Sequence, residues 1–186
     1  MRPLIIGLCG RAGSGKTSVA RFIEDKYGAT RLAFAAPLKT LAMELWDFSE
    51  EQVYGEADVK EAIDPRWGIS PRTAMQRLGD GARRHLYDGI WIESVLKQIG
   101  RQRGVFVIED LRYLNEASSI SAIGYVLRLH CSDSISSIKD STHPSEAQVD
   151  QIPAVQIHAE LHSSREQGLD HLFGLVAEQM DDLLTR

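Results

Sequence analysis

The sequence predicts an α/β domain built on a five-stranded parallel sheet, and three features carry that expectation. Short runs rich in Ile, Val, Leu and Phe recur at Leu4 to Cys9, Arg31 to Ala35, Val105 to Ile108, Tyr125 to Leu129 and Ala154 to Ile157. Longer stretches with helical spacing separate them, as parallel strands require, because each return crossover needs a helix to cover a sheet face. The length of 186 residues fits one domain at roughly 150 residues per domain.

Composition narrows the class. Apolar residues at 43% and charged residues at 25%, with 15 Gly and 6 Pro, sit near the globular average, which excludes collagen-like, low-complexity and wholly disordered chains. Twenty-one basic against 26 acidic side chains leave a net charge of −5, so no overall positive field draws in a nucleic-acid backbone or an anionic membrane. The two cysteines, Cys9 and Cys131, form no C-x-x-C pair, so neither a disulfide framework nor a zinc ribbon is available and a reducing cytoplasm fits. The first apolar stretch is too short for a signal peptide, and no run approaches the roughly 18 residues of a membrane span.

Taken in order, the first run reads as a buried strand that enters Gly10-Arg11-Ala12-Gly13-Ser14-Gly15-Lys16-Thr17. This is a complete G-x-x-x-x-G-K-[ST] motif, followed by a helical stretch from Ser18. Glycines let the backbone wrap phosphates with its N–H groups, and the helix N-terminus adds positive potential. Lys16 is placed to reach the β- and γ-phosphates, and the Thr17 hydroxyl to bind Mg²⁺. The segment from residue 37 to 100 is too long for a simple crossover and reads as an inserted helical region; in it, Ser49 and Gln52 have capping-box spacing. A helix starts at Ser70, as N-cap, with Pro71 at its first position. If it runs past Gly79, then Arg72, Gln76, Gly79 and Arg83 share one face with two guanidiniums and an amide, which taken alone reads as a solvated basic face and also fits a phosphate bidentately.

The strand Val105 to Ile108 ends in Glu109-Asp110, the form expected of the acidic metal partner of a phosphate loop; Asp110 is the candidate and Glu109 the reserve. Residues 132 to 145 are polar and read as a short lid. From Arg165 onward, Leu169, Leu172, Phe173, Val176, Met180 and Leu183 mark an amphipathic packing helix. His158 and His162, four apart, suggest a shared helix face, but the Glu of H-E-x-x-H is missing, so they read as weak zinc candidates. His143 beside Pro144 suits a helix cap as well as a lid contact, Trp91 suits the core as well as a base platform, and Cys9 reads as a small buried side chain. Asp58, Lys60, Glu61 and Asp64 read as a solvated face.

Five further segments follow the loop in a fixed order: Phe34-Ala35-Ala36-Pro37-Leu38-Lys39, Pro71-Arg72 to Arg83, Ile90-Trp91-Ile92, Asp110-Leu111-Arg112-Tyr113-Leu114-Asn115-Glu116-Ala117 and His143-Pro144-Ser145-Glu146. Together, from about Ile5 to Glu146, they resemble the deoxynucleoside monophosphate kinases of bacteriophages, within the P-loop nucleoside monophosphate kinase superfamily. The resemblance implies a three-layer P-loop kinase sandwich over residues 1–186, with an acceptor-binding insertion at about 37–100 and a lid at about 132–145. It implies transfer of the γ-phosphoryl of ATP, with Mg²⁺, to a deoxynucleoside 5′-monophosphate (dNMP). Gly10, Arg11, Ala12, Gly13, Ser14, Gly15, Lys16 and Thr17 would hold ATP, with Thr17 and Asp110 on the metal. Lys16, Asp110 and Arg112 would be catalytic, and Lys39, Arg72, Gln76, Arg83, Trp91, Arg112 and Glu116 would surround the acceptor. The implied partner is a small-molecule dNMP, with no membrane and no nucleic acid; a homodimer stays open, and the implied location is the cytoplasm, the host's if phage-encoded.

Chemistry agrees with that implication. Phosphoryl transfer between nucleotides is mainly positioning and charge neutralisation, and the attacking phosphate oxygen is already ionised, so no general base is needed. Many relatives carry Asp where this sequence has Ala36, and its absence favours a monophosphate over a hydroxyl acceptor. The lid holds Lys139 but no Arg, and Leu129-His130-Cys131 stands where a strand ending in Arg is expected, leaving Arg128 and Lys139 as secondary cations. Beyond Asp150 the resemblance fades, and adenine contacts are unassigned. Competing readings are a P-loop kinase acting on a base or end within a nucleic acid, and a non-catalytic nucleotide-binding protein.

Overall fold

The computed structural model describes residues 3–100, 102–132 and 144–185, with the side chains of 144–147 left aside. The expected lid therefore lies largely outside the described residues, as do Lys139 and His143. The chain divides into two compact units, one of residues 1–33 and 98–186, the other of residues 34–97.

The first unit holds five strands, β1 (Leu4–Cys9), β2 (Thr30–Leu32), β3 (Val105–Leu111), β4 (Tyr125–Cys131) and β5 (Ala159–Ser163), in the order β2-β3-β1-β4-β5. All four pairings are parallel. β1 is central and its residues Ile5 to Cys9 are all buried, which is why its sequence is a continuous apolar run and not an alternating one. Helices α1 (Lys16–Tyr27) and α9 (Gly168–Thr185) bury Val19, Ala20 and Ile23, and Leu172, Val176, Met180 and Leu183, in one core with Ile6, Leu8, Val107, Leu127 and Leu129. Each Val, Ile, Leu or Met side chain among these removed from water contributes about 1.5–3 kcal/mol. On the other side, the absent side chain of Gly7 makes room for α7 (Leu114–Ser121): a Cβ there would lie 3.1 Å from Ile120 Cγ2 and 2.8 Å from Leu111 Cδ1. The result is the expected α/β three-layer arrangement. Helix α8 (Pro144–Gln151) follows the undescribed stretch.

Two strand expectations are corrected. β2 stops at Leu32, because the chain turns at Phe34-Ala35 and enters α2 (Ala36–Trp46) with Pro37 in its first turn, where proline's fixed φ favours a helix start. The fifth strand is Ala159–Ser163, not Ala154 to Ile157. The latter forms a 3₁₀ turn with Val155 92% exposed, closed by Gln156 N donating to the Pro153 carbonyl at 2.9 Å.

The second unit comprises α2, α3 (Glu50–Tyr54), α4 (Ala57–Glu61), α5 (Pro71–His85) and most of α6 (Ile90–Ile99). Ala42, Phe48, Val53 and Ala74 form its core. The capping box is present, with Gln52 N donating to Ser49 Oγ at 3.2 Å and Ser49 N to Gln52 Oε1 at 2.9 Å. α5 starts at Ser70, whose Oγ accepts from Thr73 N at 3.2 Å, and runs unbroken through Gly79. Asp64 is no part of a solvated face. It is 4% exposed and accepts from Gln52 Nε2 at 2.9 Å and from Arg66 Nη2 at 2.8 Å. Those two side-chain donors, Arg66 foremost, hold its carboxyl well below the usual carboxylate range. Among the described residues no helix is long and apolar enough to cross a membrane.

Candidate active site

The turn from β1 into α1 is a loop that only glycine can make at three places: Gly10, Gly13 and Gly15 have φ of 147°, 77° and 88°. Gly10 is also sterically required, since a Cβ would lie 2.4 Å from the Leu129 carbonyl oxygen and 2.7 Å from Ser14 Oγ. Lys16 curls back over the loop, its Nζ donating to the carbonyls of Gly10 at 2.6 Å and Arg11 at 2.7 Å. Ser14 is buried at 3% exposure and Thr17, the second residue of α1, is exposed. An ammonium group and a helix N-terminus thus meet at one loop, a combination suited to polyphosphate. Arg11 turns outward to Asp150 of α8, with Nη2 to Oδ2 at 2.7 Å. Ala12 and Gly13 form the tip between them.

β3 reaches the same end of the sheet through a register shift. Gly7 pairs with Ile108 but Cys9 pairs with Leu111, so one extra residue of β3 falls at Glu109-Asp110. Such a bulge breaks the strict alternation and re-aims side chains. Glu109 is taken up by Arg31, whose Nη2 lies 2.9 Å from its Oε2 while Nη1 holds Glu24 at 3.3 Å. Asp110 stands next to Glu109 on the bulge, and a threonine hydroxyl plus a carboxylate is a hard-oxygen donor set suited to Mg²⁺.

Arg112 follows β3. Its backbone N–H donates to Glu116 Oε2 at 2.8 Å, and Tyr113 N donates to the same oxygen at 3.0 Å. Glu116 is 1% exposed, so its carboxylate caps the start of α7 from within and fixes the backbone that carries Arg112. These contacts give Glu116 a positioning role toward Arg112. Burial needs those donors, because an unpaired carboxylate out of water is strongly unfavourable.

In the helical unit, Arg72, Gln76 and Arg83 are half-buried along the α5 face that includes Gly79, with Arg72 Nε 3.5 Å from Glu61 Oε1. Lys39 lies over the Tyr54 ring at 4.3 Å. Trp91 is 5% exposed and its Nε1 donates to the Gly79 carbonyl at 3.3 Å. Of the two readings open for Trp91, burial and this hydrogen bond fit the core residue.

A cavity of about 700 Å³ adjoins the phosphate loop, lined by Gly10, Arg11 and Ser14 and, from the β4 and β5 ends, by Arg128, His130 and His162 among others. Arg128 is only 13% exposed, with Nη1 on Glu160 Oε1 at 3.0 Å and Nη2 on the Ile152 carbonyl at 2.6 Å. Cys9, its register partner, is fully buried, and burial pushes its thiol up. His158 and His162 share no helix. His158 lies before β5 with its ring edge-on to Tyr125 at 4.6 Å, whereas His162 on β5 stacks on His130 of β4 at 4.4 Å. Sequence reasoning missed the grouping of Asp150, Glu160 and His130 here, since no local spacing signals it.

No family model matches the chain. A curated protein of Acanthamoeba polyphaga mimivirus named "Putative deoxynucleotide monophosphate kinase" is 33% identical over 171 residues, covering 83% of this chain and 86% of its own. Among solved structures, a Thermus thermophilus protein superposes with a TM-score of 0.57 at 18% identity, covering 98% of this chain and 99% of that one. Shikimate kinase from Acinetobacter baumannii follows at 0.52 and 12%, covering 96% and 93%. Dephospho-CoA kinase from Campylobacter jejuni gives 0.50 and 10%, covering 96% and 97%. The structural likenesses identify the fold as that of P-loop kinases, and the sequence relative identifies the branch. The chain belongs to the deoxynucleotide monophosphate kinase family.

Proposed function

We propose that the protein transfers the γ-phosphoryl group of ATP, with Mg²⁺, to a deoxynucleoside 5′-monophosphate, yielding the diphosphate for DNA precursor synthesis. The observation that carries this reading is the Gly10–Thr17 loop, with Lys16 held over the Gly10 and Arg11 carbonyls. Those bonds turn the Gly10 and Arg11 carbonyls toward the ammonium, and a glycine-rich loop opening a helix suits phosphate oxygens. Thr17 and Asp110 are the oxygen donors for Mg²⁺, which when bound neutralises charge on the transferring phosphoryl. Arg112, fixed through Glu116, adds a second cation. The unit of residues 34–97 is then the acceptor-binding insertion of one kinase domain, with Arg72, Gln76 and Arg83 taking the acceptor's phosphate and Lys39 beside them. The mimivirus relative's name supports the choice of acceptor, as does Ala36 in place of a carboxylate that a hydroxyl acceptor would use. Incubating the purified protein with Mg²⁺-ATP and each dNMP in turn, then separating the products, tests the reading. A diphosphate from at least one dNMP is expected, and none from any acceptor would overturn it.

A further inference from the structure

Beside the phosphate loop, at the edge of the sheet, β4 and β5 pair Arg128 with Glu160 and His130 with His162 in register. The four side chains therefore project from one face at neighbouring positions. The Glu160 carboxylate is divided between two tasks. Oε1 receives Arg128 Nη1 at 3.0 Å, while both imidazoles approach Oε2, His130 Nε2 at 3.5 Å and His162 Nε2 at 3.9 Å. The Nε2 atom of His130 is out of contact with solvent and takes no hydrogen bond. We propose that His130 Nε2, His162 Nε2 and Glu160 Oε2 form a binding site for a divalent transition-metal ion of the zinc class, distinct from the Mg²⁺ of the proposed phosphoryl transfer.

Geometry supports the assignment. Zinc bonds imidazole nitrogen and carboxylate oxygen at about 2.0–2.2 Å, so two such ligands at a tetrahedral angle lie about 3.4 Å apart. The separations of 3.5 and 3.9 Å between each nitrogen and Oε2 are already close to that value. The rings are parallel to within 4°, and parallel planes do not converge on one ion, so one ring must turn about its Cβ–Cγ bond. His162 is free to do so, its side chain being 69% exposed. Arg128 acts as the outer partner that orients the carboxylate. Three protein ligands leave a fourth position for water or an anion. Two imidazoles and one carboxylate select zinc-class ions over Mg²⁺, which prefers oxygen throughout.

The test is a calorimetric titration of the metal-free full-length protein with Zn²⁺ alone, repeated with Co²⁺ to read tetrahedral d–d absorption. One ion per chain is expected, undisturbed by excess Mg²⁺. Affinity should fall by roughly tenfold or more in His130→Ala, His162→Ala and Glu160→Gln, since loss of a ligand costs at least as much as loss of an outer partner. His158→Ala, close in sequence but outside the triad, should bind as the wild type does. Circular dichroism confirms that each variant is folded, and His162→Ala, altered at an exposed ring, keeps the test decisive if Glu160→Gln disturbs β5. Absence of Zn²⁺ binding, affinity unchanged in both His130→Ala and His162→Ala, or displacement by Mg²⁺ would overturn the assignment.

Discussion

Glu116 offers the sharpest mutational test, because its carboxylate holds the backbone that carries Arg112. Its Oε2 accepts the backbone N–H groups of Arg112 and Tyr113 at 2.8 and 3.0 Å from a side chain 1% exposed. Glu116→Ala removes the acceptor from both. A hydrogen bond to a charged group contributes about 1.5–3 kcal/mol, so losing both should cost about 3–6 kcal/mol. For a chain of this size that lowers the melting temperature by on the order of 10 °C. Glu116→Gln keeps an oxygen that can accept and should lose about 1 kcal/mol. Urea unfolding gives the stabilities, and steady-state kinetics with the acceptor varied separates the roles. A positioning residue predicts that Glu116→Ala lowers kcat by loosening Arg112, and that Glu116→Gln restores most of it. An unchanged unfolding midpoint in Glu116→Ala, or a rise in acceptor KM alone in Glu116→Gln, would refute the reasoning.

Other perturbations probe separate parts. Gly10→Ala places a Cβ 2.4 Å from a β4 carbonyl at a φ of 147°, so it should destabilise the fold by about 2 kcal/mol or more, with weakened ATP binding in equilibrium titration; wild-type values for both would show that the loop is not so constrained. Arg72→Ala and Arg83→Ala should each raise the acceptor's KM by about tenfold or more, the loss of one charge-assisted contact, and leave that of ATP nearly unchanged; equal effects on both substrates would mean the α5 face is misassigned. The depressed carboxyl of Asp64 stabilises the folded state at pH values above its unfolded value of about 3.9, and that contribution is lost as pH falls through the lower folded value. Wild type should therefore exceed Asp64→Asn in stability near neutrality and converge with it in strong acid, and a gap independent of pH would contradict the pairing.

What could be read from the sequence follows the range of the interactions involved. The β1–loop–α1 segment is legible because its signals are local: a buried strand, glycines where φ is positive, and a lysine at the helix start. The caps at Ser49 and Ser70 are legible for the same reason. β5 is not, because Ala159–Ser163 is an edge strand in which only Leu161 is buried, whereas the more apolar run before it sits in an exposed turn after Pro153. Trp91 and Asp64 are not legible because burial is a tertiary property; an indole or a carboxylate looks alike in sequence whether it faces water or a buried donor. The pairing of His130 with His162 depends on register between β4 and β5, 32 positions apart, and the helical spacing of His158 and His162 points the wrong way.

The central claim is that Lys16 and its loop serve phosphoryl transfer to a nucleotide monophosphate. The most direct measurement compares wild type with Lys16→Ala in diphosphate formation from Mg²⁺-ATP and the preferred dNMP, with circular dichroism on both. The account predicts turnover in the wild type and, in a folded variant, a loss of roughly 10²-fold or more, the scale expected when a preorganised charge at the transferring group is removed. Equal turnover by the two proteins, or no diphosphate from the wild type, would contradict it.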